Sequence, residues 1–177
     1  MQSIFGTDGI RGKFNEFITY DLAKKVGYAF GKSVKKEAPI LIGRDPRDSG
    51  HIILDAIKIG LNLANKTIID VGICPTPAVP FLIKRFGFSG GIMISASHNP
   101  PEYNGIKIFD QDGKKLKRIY EKNLDQAIKE KIPLNTNSKL LKDNIKNPNL
   151  LEFYEDSLIN SMGNENLEGI KIILDTC

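Results

Sequence analysis

The sequence holds 177 residues, 41% of them hydrophobic and 26% charged, with a formal net charge of +4. That is chain enough for one well-buried domain and the beginning of another. No apolar run approaches the roughly 18 residues of a membrane span, and the opening from Met1 to Gly12 lacks a charged-then-apolar signal pattern. Lysines are dispersed, many of them mixed with Glu and Asp between Lys114 and Lys146, which describes a solvated surface rather than a nucleic-acid stripe.

Taken in chain order, strand and helix signals alternate. Thr19 is a plausible N-cap for a helix over 22–34, with Leu22, Val26, Phe30 and Val34 at helical spacing. Ile40-Leu41-Ile42-Gly43 reads as a buried strand, and Ser49 can cap a helix running to about Asn65 with Ile53, Ile57, Gly60 and Leu61 on one face. A strand over 67–71 follows; Pro75-Thr76-Pro77 then breaks the chain before a helix over 78–86. Strands are expected over 90–95 and 106–109, a turn over 110–113, and a charged amphipathic helix over 117–131. Residues 133–149, rich in Asn, Lys and Ser, read as a surface connection before a helix over 150–162 and a strand over 170–175.

Strands separated by helices of this length predict βαβ crossovers and a three-layer α/β/α domain with a mixed sheet. The domain is expected over 1–145, with 146–177 forming the linker helix and first strand of a truncated second domain. Cys74 and Cys177 are the only cysteines, and their separation fits no metal spacing. They read as free thiols in a reducing compartment, so a cytoplasmic protein is expected, without membrane or nucleic-acid partners.

The stretch from Ile94 to Lys107 carries the chemistry. It starts at the C-terminal end of an apolar strand, where open α/β sheets place ligands. Ser97, His98 and Asn99 then sit in a loop restrained by Pro100 and Pro101, and the return strand delivers Lys107. A Ser-His hydrolase would want a carboxylate orienting His98, and nothing local supplies one. Phosphoryl transfer asks instead for positive charge and positioning, which Lys107 and an arginine from elsewhere can meet. Ser95 is a competing hydroxyl, expected on the strand and on the face of Ser97.

The run Ser95-Ala96-Ser97-His98-Asn99-Pro100, followed by Asn104-Gly105-Ile106-Lys107, resembles the phosphoserine loop of the α-D-phosphohexomutases. The opening Phe5-Gly6-Thr7-Asp8-Gly9-Ile10-Arg11-Gly12 is similar to the start of the phosphoglucosamine mutase branch. Gly43-Arg44-Asp45-Pro46-Arg47-Asp48-Ser49-Gly50 resembles an early family motif, and Pro75-Thr76-Pro77 falls at a similar turn. Together these features cover residues 5–107.

The resemblance implies that Ser97 is phosphorylated and exchanges its phosphate with a hexose phosphate between the 6- and 1-positions, through a bisphosphate. Glucosamine phosphate is the substrate it favours; phosphomannomutase or phosphoglucomutase activity and a non-catalytic phosphosugar-binding module are the alternatives. Lys107 and Arg11 would neutralise charge and assist proton movement, and His98 would position the substrate or the phosphoserine. The Ser97 phosphate would give Mg²⁺ one oxygen ligand. The remaining metal ligands and the sugar contacts would come from later domains, so the chain alone is expected to be inactive. Arg44 and Arg47 are expected to pair with Asp45 or Asp48, and Gly6, Gly9 and Gly12 to allow close backbone packing under the loop.

Overall fold

The computed structural model describes residues 3–130, 144–163 and 168–174. Six strands form one sheet: β1 (Ile10–Lys13), β2 (Ile40–Arg44), β3 (Ile68–Ile73), β4 (Gly90–Ile94), β5 (Tyr103–Phe109) and β6 (Asn144–Lys146). Their order is β1-β5-β4-β2-β3-β6. The sheet is mixed, as expected: β4, β2, β3 and β6 run parallel, whereas β5 is antiparallel to both β4 and β1.

Period-two alternation sorts the strand side chains into two cores. Ile10, Ile40, Ile42, Ile92, Ile94, Ile106 and Ile108 face one cluster, covered by α1 (Tyr20–Ser33), α2 (Gly50–Leu63) and α4 (Arg118–Lys129). Leu41, Val71 and Met93 face the other, covered by α3 (Ala78–Phe86) and α5 (Leu150–Ser161). The result is the three-layer α/β/α arrangement. Burying each Leu or Ile here contributes about 1.5–3 kcal/mol relative to exposure.

Helix α1 begins where the cap predicts, because Thr19 Oγ1 accepts from the Leu22 N–H at 3.1 Å. It packs backbone-to-backbone on α2 at paired glycines. A Cβ on Gly60 would lie 2.1 Å from the Lys24 carbonyl oxygen, and one on Gly27 would lie 2.4 Å from that of Ile57. Helix α3 occupies the expected residues.

Three expectations change. Ser49 stands at the α2 N-cap without capping it, since its Oγ accepts instead from Asn104 Nδ2 at 2.8 Å. Within the expected surface connection, Asn144–Lys146 pairs with β3 as a parallel edge strand; residues 131–143 lie outside the described residues. The strand expected over 170–175 is absent from 170–174, where Ile173 and Leu174 are 92% and 81% exposed. An apolar β-branched run makes a strand only where a neighbour accepts its backbone hydrogen bonds, and among the described residues none does; residues 175–177 fall outside the described residues. Helix α5 packs on α3 through Phe81–Tyr154 and Phe86–Phe153 ring contacts at 5.5 and 5.0 Å.

Candidate active site

Strands β2, β3 and β4 end on the same side of the sheet, and the loops that follow them enclose a cleft of about 850 Å³. Asp45, Arg47, Cys74, Thr76, Ser95 and Ser97 are among its lining residues. This is the position where an open α/β sheet places its ligand. At the rim Ser97 adopts φ +58°, a left-handed conformation that disfavours side chains bearing a Cβ. Its N–H donates to Ser95 Oγ at 3.0 Å. The strand stops at Ile94, so the alternation expected to put both serines on one face ends before Ser97. Ser95 is buried and used as an acceptor, while Ser97 is exposed.

His98 Nδ1 lies 3.4 Å from Ser97 Oγ, longer than a good hydrogen bond. Among the described residues no carboxylate is bonded to His98. The third member that a serine hydrolase needs is missing from this arrangement.

Arg11 and Lys107 follow Ile10 and Ile106, which are paired across β1 and β5 and face the first core. Alternation therefore turns both cations to the opposite face. Arg11 reaches the serine loop, its Nη1 donating to Asn99 Oδ1 at 3.4 Å. Lys107 pairs in register with Met93, deeper in the sheet, and forms no hydrogen bond to Ser97; its Nζ meets Asp8 Oδ2 at 2.7 Å. Asp8 also lies 3.6 Å from Arg11 Nη2. The Lys107 hydrogen bond holds the Asp8 carboxyl below its ordinary range, helped by the charges of Lys115 and Arg11. Asp8 reaches Lys107 because the turn before β1 presses on β5. Gly9 has φ +89°, and a Cβ there would meet the Ile106 carbonyl oxygen at 2.5 Å. The close backbone packing expected of this glycine is present.

On the other side of the loop, Arg47 pairs with Asp45 as expected, Nε to Oδ2 at 3.0 Å. Its other donors go to loop carbonyls: Nη1 to Pro100 at 2.7 Å and Tyr103 at 3.2 Å, Nη2 to Ser97 at 2.7 Å and Asn99 at 2.8 Å. Arg44 binds the Asp45 carbonyl. Cys74 in the cleft is a buried free thiol, and desolvation pushes it up to about 11, so it stays protonated at neutral pH.

Among the described residues no cluster of three or more His, Cys, Asp or Glu could hold a metal ion. Asp110 and Asp112 form the expected turn, with Asp110 Oδ1 accepting from the Asp112 and Lys114 amides. The donor set for Mg²⁺ is thus not assembled from these residues.

A family model described as phosphoglucomutase/phosphomannomutase, alpha/beta/alpha domain I, matches residues 2–134. The chain belongs to the phosphoglucomutase/phosphomannomutase family. Within this phosphohexomutase family it is 57% identical to the phosphoglucosamine mutase of Prochlorococcus marinus strain AS9601 and 60% identical to that of strain MIT 9215. Both matches cover 100% of this chain but only 39% of the relative. A solved phosphoglucomutase/phosphomannomutase family protein from Burkholderia thailandensis is 27% identical, with a TM-score of 0.65 over 83% of this chain and 33% of its own. No described helix is long and apolar enough to cross a membrane.

Two features of the site were missed in the sequence: Asp8 as the partner of Lys107, and Arg47 as a ligand of the serine loop. For Asp8 the available signal was the Asp8-Gly9 pair, a common turn sequence, directly before Arg11. For Arg47 the only signal was its place in the motif after β2.

Proposed function

We propose that this chain is the serine-bearing part of a phosphohexomutase that interconverts glucosamine 6-phosphate and glucosamine 1-phosphate. The observation that carries the reading is Ser97, exposed in a left-handed loop at the C-terminal ends of the parallel strands, with Arg11 joined to the same loop. The names of the relatives favour glucosamine over mannose or glucose.

In the proposed reaction, phosphoserine 97 gives its phosphoryl group to the 1-hydroxyl of glucosamine 6-phosphate. The P–O bond to Ser97 breaks as the bond to O1 forms; the hydroxyl proton is lost and Ser97 Oγ regains one. The resulting 1,6-bisphosphate returns its 6-phosphoryl group to Ser97 and leaves as glucosamine 1-phosphate. Arg11 supplies a planar fork that suits phosphate oxygens. Lys107 adds charge held in place by Asp8, and His98 positions the serine side. Bound Mg²⁺ would supply further charge neutralisation. A phosphate on Ser97 offers it one oxygen, and its other ligands would have to come from outside the described residues. With the chain at 39% of its relatives' length, the 177 residues alone are proposed not to complete the cycle.

The test is Ser97→Ala in the full-length protein, followed by glucosamine 1-phosphate release. Turnover should fall at least about 10³-fold, the scale of losing a covalent nucleophile. Near-normal turnover would sink the phosphoserine mechanism, and a full-length wild-type protein that binds hexose phosphate without turnover would leave a phosphosugar-binding module. Faster turnover of mannose or glucose phosphate would overturn only the choice of sugar.

A further inference from the structure

A guanidinium carries five N–H donors in one plane. In Arg47 each has an acceptor: one reaches the Asp45 carboxylate, and the other four reach the carbonyls of Ser97, Asn99, Pro100 and Tyr103. The side chain is only 14% exposed. Asp45, which orients it, also accepts from the Arg47 backbone N–H at 3.2 Å and donates its own N–H to the Ile94 carbonyl. The clamp therefore stands on the rigid ends of β2 and β4.

We infer that Arg47 is the positioning residue that holds Ser97 in its left-handed conformation for phosphoryl transfer, and that it does not bind substrate phosphate. The inference rests on the proposed role of Ser97. Its physical basis is that both peptide groups flanking the Ser97 Cα are tied down. The amide is bound to Ser95 Oγ and the carbonyl to Arg47. With both held, φ cannot relax to the extended or right-handed values that a serine prefers. Three further carbonyls of the loop converge on the same group, so the turn is wound around one cation. Although Arg47 lines the cleft and its charge would suit a phosphate, a bound phosphate would have to displace one of these carbonyls. Arg11 differs: its contacts at 3.4 and 3.6 Å are long, and its donors remain available.

A lysine cannot replace this clamp. Its ammonium has three donors about a point and cannot meet five acceptors spread in a plane. In the full-length protein, Arg47→Ala and Arg47→Lys should each lower kcat about 10²-fold, the cost of misplacing a reacting group by about 1 Å. KM should stay within about twofold. The amides of Asn99 and Tyr103, which close the loop on the Ala96 and Pro100 carbonyls, should exchange faster with solvent while those of β2 and β4 keep their rates. Should Arg47→Ala fail to fold, Arg47→Lys, which keeps the charge and most of the volume, carries the same expectation. Two results would overturn the clamp: KM rising with kcat and loop exchange unchanged, which would make Arg47 a substrate ligand, or full rescue by lysine, which would make charge alone sufficient. Loop exchange does not depend on turnover. If Ser97→Ala proved active, the mutase reading would fall while the exchange measurement still decided the clamp.

Discussion

At one edge of the sheet β1 pairs with β5 over four residue pairs, from Ile10–Ile106 to Lys13–Tyr103. That edge alternates buried isoleucines with the cations Arg11 and Lys107, and Asp8 and Asn99 tie the cations to the turn and to the serine loop. At the other edge β6 pairs with β3 over three residue pairs, and all three of its residues are exposed. The helix that follows, α5, has no fully buried residue and meets the second core through Leu150, Leu151 and the ring contacts with α3. Both edges satisfy backbone hydrogen bonds. Among the described residues the first edge adds side-chain bonds from both of its strands to the turn and the serine loop. At the second, the Lys58–Asp70 ion pair at 2.7 Å ties β3 to α2, and among the described residues no such bond involves β6. The outermost strand therefore holds charged groups in a defined geometry only at the first edge.

The sharpest way to break this contrast is Gly9→Ala. It combines a positive φ with a Cβ 2.5 Å from the Ile106 carbonyl oxygen, and should cost about 3 kcal/mol by thermal or urea unfolding. A loss below about 1 kcal/mol would mean that the turn is not pressed against β5. At the far edge, Phe153→Ala removes an edge-to-face ring contact and the stacking of Arg85 at 5.5 Å. About 1 kcal/mol is expected there, and a loss as large as that of Gly9→Ala would erase the difference between the edges.

Two smaller effects follow from ionisation. Cys74 lies on the floor of the cleft, and its thiolate fraction at pH 8 should be about a hundredfold below that of a thiol at the ordinary 9.0, since burial raises it to about 11. Iodoacetamide should label it slowly until urea unfolds the chain; prompt labelling of the folded protein would show a more open floor. Because the folded value is raised, this group's contribution to stability is complete below 9.0 and lost as pH rises through about 11. Asp8 works the other way. Its folded value is depressed below 3.8 by Lys107, so its contribution is present above that value and lost as pH falls through the lower folded one. Asp8→Asn should be slightly less stable than wild type at pH 7, and the two should converge in acid. With Asp8 half exposed, salt should shrink the difference; a difference unchanged in acid or at high salt would rule out the ion pair as its source.

Much of this was legible beforehand because it depends on local spacing. The 3.6-residue stripe of α1, the Thr19 cap and the break at Pro75-Thr76-Pro77 are short-range features, and they were found where expected. The strand expected over 106–109 begins earlier, at Tyr103, where pairing with Lys13 of β1 extends it. β6 was not legible: with all three residues exposed it carries no hydrophobic period, and only its ladder to β3 defines it. The run over 170–174 differed in the opposite sense, having strand-like residues but, among the described residues, no neighbouring strand to accept their hydrogen bonds.

By itself the sequence determined the layered architecture and the place of the serine-bearing loop after an apolar strand, because residue type and period constrain these within a few positions. Which arginine has every donor engaged and which is held only by long contacts was decided only by the tertiary structure. Arg47 lies 50 residues before the Ser97 carbonyl it binds, and Asp8 lies far from Lys107 in the chain. Carbonyl directions and ion-pair partners arise from how strand ends and turns come together, and no local pattern of side chains encodes them.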